Sequence, residues 1–268
     1  FRVIELFAGA GGLALGLEEA GLKTMFLNDI DKDCCETLRH NRPGWNVECG
    51  DIAQIDFKPF RGQADVITGG FPCQAFSYAG KKLGFKDTRG SLFYEFARAV
   101  DEAQPKLCLA ENVRGLISHD GGRTLDTMVR VFGEIGYKPI APRLLKAMFY
   151  RVPQKRERVF VAAIRKDIFE VADLMWPQPY NRIYNLADAL KRGDLYDCDV
   201  PDSDGQSYPE RKKEIMDLIP PGGYWRDLPV ALQKEYMKGS YYLGGGKTGI
   251  ARRISWEEPC LRSHAPQP

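Results

Sequence analysis

A short apolar run, Val3–Leu6, leads directly into Phe7-Ala-Gly-Ala-Gly-Gly12, and a stretch of helical period begins at Leu13. Strand, glycine-rich turn and helix in that order bring backbone close to a ligand at the carboxyl edge of a parallel sheet, where open α/β folds bind their ligands. The alternation then continues. β-type runs at Thr24–Leu27, Val66–Thr68, Leu107–Ala110 and Val159–Ile164 are interleaved with helical stretches at Leu13–Ala20, Lys32–His40, Ser91–Ala103 and Thr124–Ile135. This pattern predicts an α/β fold with a parallel sheet covered by helices. Near Asp173 the periodicity ends, and Trp176-Pro-Gln-Pro, Pro201-Asp-Ser-Asp-Gly and Pro220-Pro-Gly-Gly follow. The break predicts a domain over residues 1–172 and a smaller, irregular, aromatic one over 173–268.

Composition removes several classes. With 44% hydrophobic and 28% charged residues, and with 27 Gly and 17 Pro spread along 268 residues, the chain is globular rather than disordered or fibrous. No apolar run approaches the ~18–20 residues of a membrane span, and Phe1 opens no secretory pattern, so the reading is intracellular. Seven Cys with no C-x-x-C pair and only three His predict reduced thiols and no metal site. The net charge of +2 says little about partners. Its distribution says more: residues 143–166 hold eight Lys/Arg against one acid, Glu157, which suits a polyanion as well as a solvated face.

Taken singly, the motifs leave alternatives open. The first glycine-rich turn is not G-x-G-x-x-G, and the Phe7 ahead of it suits an adenosyl or methionyl group better than pyrophosphate. Asp29 ends the second strand and can accept hydrogen bonds from a ribose diol, while Asp51 in Gly50-Asp-Ile52 can face an adenine amino group. Either acid also reads as an ordinary turn or cap residue. In Asp65-Val-Ile-Thr-Gly-Gly-Phe-Pro-Cys73, a strand delivers a cysteine to the ligand-binding edge, where a thiolate nucleophile is a better reading than a buried thiol. Ser91 reads as a helix cap. Leu107-Cys-Leu-Ala-Glu111-Asn-Val113 ends a strand in an acid whose desolvation would favour its protonated form. Strand alternation over Gln154-Lys-Arg156-Glu-Arg158 predicts Gln154, Arg156 and Arg158 on one face, with the charges between them on the other.

In this order the elements resemble the cytosine-C5 DNA methyltransferase family of the bacterial restriction-modification type. The match covers residues 2 to 170 and returns at Arg252-Arg-Ile-Ser-Trp-Glu-Glu-Pro259, similar to the family's ninth block. Pro72-Cys73-Gln74, Glu111-Asn112-Val113 and Gln154-x-Arg156-x-Arg158 in sequence make the likeness highly specific. The resemblance implies a Rossmann-like S-adenosylmethionine-dependent methyltransferase domain with a smaller target-recognition domain. It implies methylation of C5 of a cytosine flipped out of double-stranded DNA, with S-adenosylhomocysteine as product. Cys73 is the implied nucleophile toward C6, Glu111 the partner of N3, and Arg158 with Arg156 the holders of the base carbonyl and adjoining phosphates. Gln74 opens a loop to Gly80, including Ser77, that would close over the DNA. Phe7, Ala10, Gly12, Asp29, Ile30, Asp51, Ile52, Gly70, Pro72 and Leu92 match positions that line the family's cofactor pocket.

Recognition is expected between Met175 and Ile250, continuing to Arg252 and Arg253. There Lys247, Thr248, Arg252 and Arg253, with Gln154 from upstream, are candidate DNA contacts. Residues 205–253 carry nine Lys/Arg against five acids, in keeping with a backbone-contacting surface. Two departures from the family pattern stand out. Its final Gly-Asn-x-Val block is absent before Pro268, leaving that block to sequence beyond the chain or to a second chain. Arg151 stands where the family usually has Gly. The resemblance places the protein in the bacterial cytoplasm, at the nucleoid through DNA, with no membrane or metal partner. The rivals are a tRNA cytosine-5 methyltransferase of the same fold, a catalytically silent DNA-binding protein and, from another class, a nicotinamide-dependent oxidoreductase. The last has no use for Pro-Cys-Gln followed by Glu-Asn-Val.

Overall fold

Strand β1 (Arg2–Leu6) sits at the centre of a mixed sheet because both of its faces are apolar, Val3, Ile4 and Leu6 all being buried. In the computed structural model the described residues are 1–72, 91–171, 174–193, 195, 197, 199, 208–242 and 251–261. They form two compact units, one of Phe1–Leu145 with Glu157–Pro177 and one of Lys146–Arg156 with Gln178–Pro268. The segment 146–156, assigned from sequence to the first domain, groups here with the second unit.

In the first unit, β2 (Lys23–Asp29), β3 (Val47–Cys49), β4 (Val66–Gly69), β5 (Leu107–Val113), β6 (Tyr137–Pro139), β7 (Arg143–Lys146) and β9 (Glu157–Arg165) join β1. The order is β3-β2-β1-β4-β5-β9-β6, with β7 also pairing with β9. The first five strands of that order are parallel, as predicted. β9 runs antiparallel to both β5 and β6, so the sheet is mixed rather than parallel. Helices α1 (Gly12–Glu19), α2 (Lys32–Asn41), α3 (Leu92–Ala103) and α4 (Arg123–Glu134) follow the sequence expectation to within a residue or two.

Side-chain alternation sorts the helices between two faces. Ile4, Leu6, Phe26 and Ile67 pack with Phe93, Phe96 and Val100 of α3 and with Met128, Val131 and Phe132 of α4. Leu27 and Val47, on the opposite face, pack with Ala14 of α1 and Cys35 and Leu38 of α2. Each fully buried Phe or Ile contributes roughly 1.5–3 kcal/mol, which makes the α3/α4 face the main source of stability. Asp31 caps α2 by accepting from Cys34 N at 2.9 Å, and that bond holds its carboxyl below the usual range. Ser91 occupies the N-cap of α3 but makes no side-chain capping bond, so the predicted cap is positional only.

The second unit is less irregular than its sequence predicts. Among the described residues it carries β8 (Gln154–Lys155), paired in parallel with β10 (Cys260–Leu261), and helices α5 (Leu186–Leu190), α6 (Glu210–Asp217) and α7 (Val230–Met237). Ile215, Ile219, Trp225, Leu228 and Met237 form its small core.

One buried carboxyl in β1 is out of keeping with its surroundings. Glu5 is 3% exposed, pairs in register with Leu27 and Thr68, and among the described residues leaves Oε2 without a partner, as Thr68 leaves Oγ1. Desolvation pushes its pKa from 4.5 to about 8. Between those values the folded chain keeps a proton that the unfolded chain has released, so Glu5 lowers stability progressively as pH rises through that window. Glu5→Gln removes this titration. Denaturant unfolding should therefore show the variant gaining on the parent by at least about 1 kcal/mol between pH of about 5 and about 8.5. A constant difference across that range would show that Glu5 ionises normally in the folded chain.

Candidate active site

The order β1-β4-β5 sets three motif-bearing strand ends side by side at one sheet edge. β1 leads into the Phe7–Gly12 turn, β4 into Gly70-Phe71-Pro72, and β5 ends in Glu111-Asn112-Val113.

Glu111 and Arg158 meet because of strand register. Val113 on β5 pairs with Arg158 on β9, which puts Arg158 and Glu111 on the same sheet face. Arg158 Nε lies 2.6 Å from Glu111 Oε1, with the two side chains 12% and 22% exposed. Glu111 is therefore one half of a largely buried ion pair. A Cβ at Gly70 would come within 3.4 Å of Glu111 Oε2, so the carboxylate lies directly against this turn.

Asn112 faces the other way and ties the same turn down. Its Nδ2 donates to the Phe71 carbonyl at 2.9 Å in a buried bond, and its Oδ1 accepts from Val113 N. The Phe71 ring is 2% exposed, meets Phe7 edge-on with centroids 6.1 Å apart, and packs on Phe93 and Phe96 at 5.6 Å. Such contacts link the first turn, the second turn and α3 through one aromatic column. Gly69 has no alternative in this setting, because a Cβ there would approach the Phe96 ring to 2.8 Å.

On the other side of β1, Asn28 and Asp29 knit the loops together. Asn28 O accepts from Ala8 N at 3.0 Å, and Asn28 Nδ2 donates to the Gly50 and Glu48 carbonyls. Asp29 Oδ2 accepts from Gly9 N at 2.7 Å and Oδ1 from Asp31 N at 2.9 Å. Asp51 accepts from Ala53 N at 3.0 Å. Both acids thus perform the turn and cap roles that their positions allow, and each carboxylate keeps further acceptor capacity. In the glycine-rich turn, Gly11 has φ 86° and a Cβ there would come within 2.5 Å of Leu38, so helix packing demands glycine. Gly9 and Gly12 have nothing within 4 Å of such an atom among the described residues, so the turn fronts open space. Ala10 is exposed, Ile30 is 72% exposed and Leu92 37%, whereas Ile52 is buried in the main core and offers no side-chain surface. Asn28, 1% exposed, was missed from sequence, although a polar residue closing the apolar run Met25-Phe-Leu27 is the available signal.

The predicted single face of Gln154, Arg156 and Arg158 is not formed. β8 ends at Lys155, Arg156 N bonds back to Gln154 O at 2.8 Å, and β9 starts afresh at Glu157. This kink breaks the two-residue period, and Gln154 and Arg156 fall in the second unit while Arg158 falls in the first. Arg253, predicted as a DNA contact, donates one N–H to the Ile219 carbonyl at 2.8 Å beside the small core, while Arg252 is exposed. Cys73, Gln74, Ser77, Gly80, Lys247 and Thr248 lie outside the described residues. Among the described cysteines, Cys108 is wholly buried in β5 and its thiol is pushed far up by desolvation, which makes it inert. No group of three or more His, Cys, Asp or Glu among the described residues could hold a metal, and no described helix is long and apolar enough to cross a membrane.

The sheet order, with one antiparallel strand near its far edge and motif-bearing loops at the carboxyl ends of β1, β4 and β5, defines a Rossmann-like methyltransferase fold. A solved structure from E. coli, described as a DNA modification methyltransferase encoded within a prophage, superimposes with a TM-score of 0.63 at 22% identity. That likeness covers 97% of this chain and 81% of the other. A DNMT2 variant from Spodoptera frugiperda has a TM-score of 0.56 at 22% identity over 73% of this chain and 60% of its own. Sequence narrows the class further. The model of the C-5 cytosine-specific DNA methylase family matches residues 1–219, and the chain belongs to that family. Type II methyltransferase M.Eco47II of Escherichia coli is 63% identical, and M.PspPI of Psychrobacter sp. (strain TA137) 58%, each over 97% of this chain and 63% of the relative. M.Sau96I of Staphylococcus aureus is 48% identical over 97% of this chain and 60% of its own length. The chain thus spans less than two thirds of the length of each of these three relatives.

Asn112→Ala isolates the tie between the second and third strand ends. It leaves the buried Phe71 carbonyl without its donor, so thermal or denaturant unfolding should show a loss of about 1–3 kcal/mol. An unchanged stability would mean that the 70–72 turn is held by its aromatic packing alone.

Proposed function

We propose that this protein is a DNA (cytosine-5)-methyltransferase of a bacterial restriction-modification system, acting on a cytosine flipped out of a specific duplex sequence. The observation that carries the reading is the juxtaposition of the Glu111–Arg158 pair with the Gly70-Phe71-Pro72 turn, the turn that leads into Cys73. Names of relatives that share 48–63% of their matched residues with the chain favour the same activity. In this reading the protein works in the cytoplasm, at the nucleoid through its DNA substrate.

The residues present fit S-adenosylmethionine. The turn at Gly9–Gly12 fronts open space, Ile30 and Leu92 offer exposed apolar surface at the same sheet edge, and Asp29 and Asp51 keep acceptor capacity for ribose and adenine. Phe7, Ala10, Gly12, Gly70 and Pro72 complete the wall, with Ile52 behind it contributing backbone. When bound, the cofactor supplies an electrophilic methyl group on sulfur and leaves as S-adenosylhomocysteine.

The chain's own part is to make cytosine C5 nucleophilic. The Cys73 thiolate adds to C6, placing an electron pair in the ring, and Glu111, acting as the carboxylic acid, donates its proton toward N3 as negative charge develops there and takes it back when the ring is restored. Arg158 orients the Glu111 carboxyl group and addresses the base carbonyl. After C5 is methylated, loss of its proton to water restores the C5–C6 double bond and expels Cys73 as thiolate. The 74–80 loop, with Gln74, Ser77 and Gly80, encloses the base. Gln154, Arg156, Lys247, Thr248 and Arg252 serve the DNA, whereas Arg253 serves mainly the small core.

Labelled methyl transfer to duplex DNA, measured against a tRNA substrate, tests the proposal. Duplex DNA should be methylated, and Cys73→Ser should lower turnover by at least about 10³-fold with DNA binding retained. Transfer to tRNA alone, or near-normal turnover by the serine variant, would overturn it. Glu111→Gln should lower kcat by about 10²-fold while changing cofactor affinity much less, since its contact strengthens only as charge develops. Unchanged kcat with a large loss of cofactor affinity would assign Glu111 to the pocket instead.

A further inference from the structure

Arg151 holds a left-handed backbone conformation, with φ 62°, that glycine adopts freely and residues with a Cβ rarely do. It follows the short turn Ala147–Phe149 and precedes Val152-Pro153, in a segment, 146–156, with four Lys/Arg and no acid. Strain of this kind persists where the surroundings over-determine it and cluster around a use for the side chain.

The surroundings are aromatic. The Arg151 guanidinium carbon stands 6.0 Å from the Tyr180 ring centre and 5.8 Å from that of Tyr184. Tyr180 is tied to the same segment through its N–H to the Phe149 carbonyl at 2.9 Å. Tyr184 is held on its other neighbours by Arg182, whose guanidinium lies 4.8 Å from the ring and bonds Asp188 Oδ1 at 2.6 Å. Asp188 in turn forms a reciprocal capping box with Asn185 at the start of α5. The frame around Arg151 is therefore built and internally compensated: Arg182 has Asp188, and Lys155 has Glu258 at 3.0 Å. Arg151 itself is exposed and, among the described residues, has no carboxylate partner. Contact with a ring uses none of the five N–H donors of a guanidinium, which stay available to a planar or tetrahedral oxyanion.

We infer that Arg151 is a phosphate-binding residue, preset by Tyr180 and Tyr184 to hold one backbone phosphate of duplex DNA irrespective of base sequence. The inference rests on the DNA substrate proposed above. A phosphate takes its charge and donors, and a contact of that kind contributes affinity and salt dependence but no sequence preference.

Arg151→Gly is the informative variant because glycine keeps the left-handed backbone at no cost while removing the guanidinium. Binding of the chain and the variant to two duplexes of unrelated sequence should be followed by fluorescence anisotropy across a KCl series. The variant should bind both duplexes about 3- to 10-fold more weakly, and the slope of log affinity against log salt should be shallower by about one. Arg151→Lys should restore the slope, because it restores the charge. Equal affinity and slope for parent and glycine variant would overturn the phosphate contact while leaving the methyltransferase reading intact. A loss confined to one duplex would overturn it in favour of base readout. Failure of the parent chain to bind either duplex would remove the DNA reading and this inference together.

Discussion

A single buried hydrogen bond, from Asn112 Nδ2 to the Phe71 carbonyl at 2.9 Å, joins the ends of two neighbouring strands. Without it the 70–72 turn would be fastened by ring packing alone, and a buried carbonyl without a donor costs more than an ordinary hydrogen bond contributes. With it, the turn lies against the Glu111 carboxylate on one side and on the Phe7, Phe93 and Phe96 rings on the other. The adjacent residues Glu111 and Asn112 thus divide two tasks by pointing to opposite faces of β5. Asn112 holds the backbone, and Glu111 presents its carboxylate beside Arg158.

The same division runs through the glycine-rich side of the site. Asp29 takes the Gly9 N–H with one oxygen and its own loop with the other, so the turn that fronts open space is anchored from β2 rather than from its own residues. Gly11 and Gly69 are set by close packing, against Leu38 and Phe96 respectively, and are framework positions. Gly12 and Gly70 border the open side. Rigid attachment matters here because a misplacement of about 1 Å between reacting groups can cost ~10²-fold in rate.

Much of this was legible in the sequence, and the exceptions have physical causes. The strands around β1 and the four helices of the first unit were readable because apolar periodicity is strong where both sheet faces are covered. The direction of β9 was not, since a run such as Val159–Ile164 reads alike in either orientation. Edge strands β3, β6 and β7 are too short to show a period. Pro153 and the bond from Arg156 N to Gln154 O break an extended stretch that alternation alone treats as continuous. Of the candidate site, the position of Glu111 at a strand end was readable, but its contact with Arg158 depends on antiparallel register with a strand of unknown direction. Arg253 carries a structural bond that no sequence pattern announces, since its donation to the Ile219 carbonyl depends on how the small core folds back on it.

The central claim is that a thiolate at Cys73 adds to a cytosine ring. Replacement of the target base by 5-fluorocytosine tests it most directly, because fluorine cannot leave C5 as a proton does and elimination stalls. Incubation with S-adenosylmethionine and fluorinated duplex, followed by digestion and mass spectrometry, should yield a covalent complex with the nucleotide and methyl group on the peptide containing Cys73. No covalent complex under conditions where unmodified duplex is methylated, or attachment at a residue other than Cys73, would contradict the account.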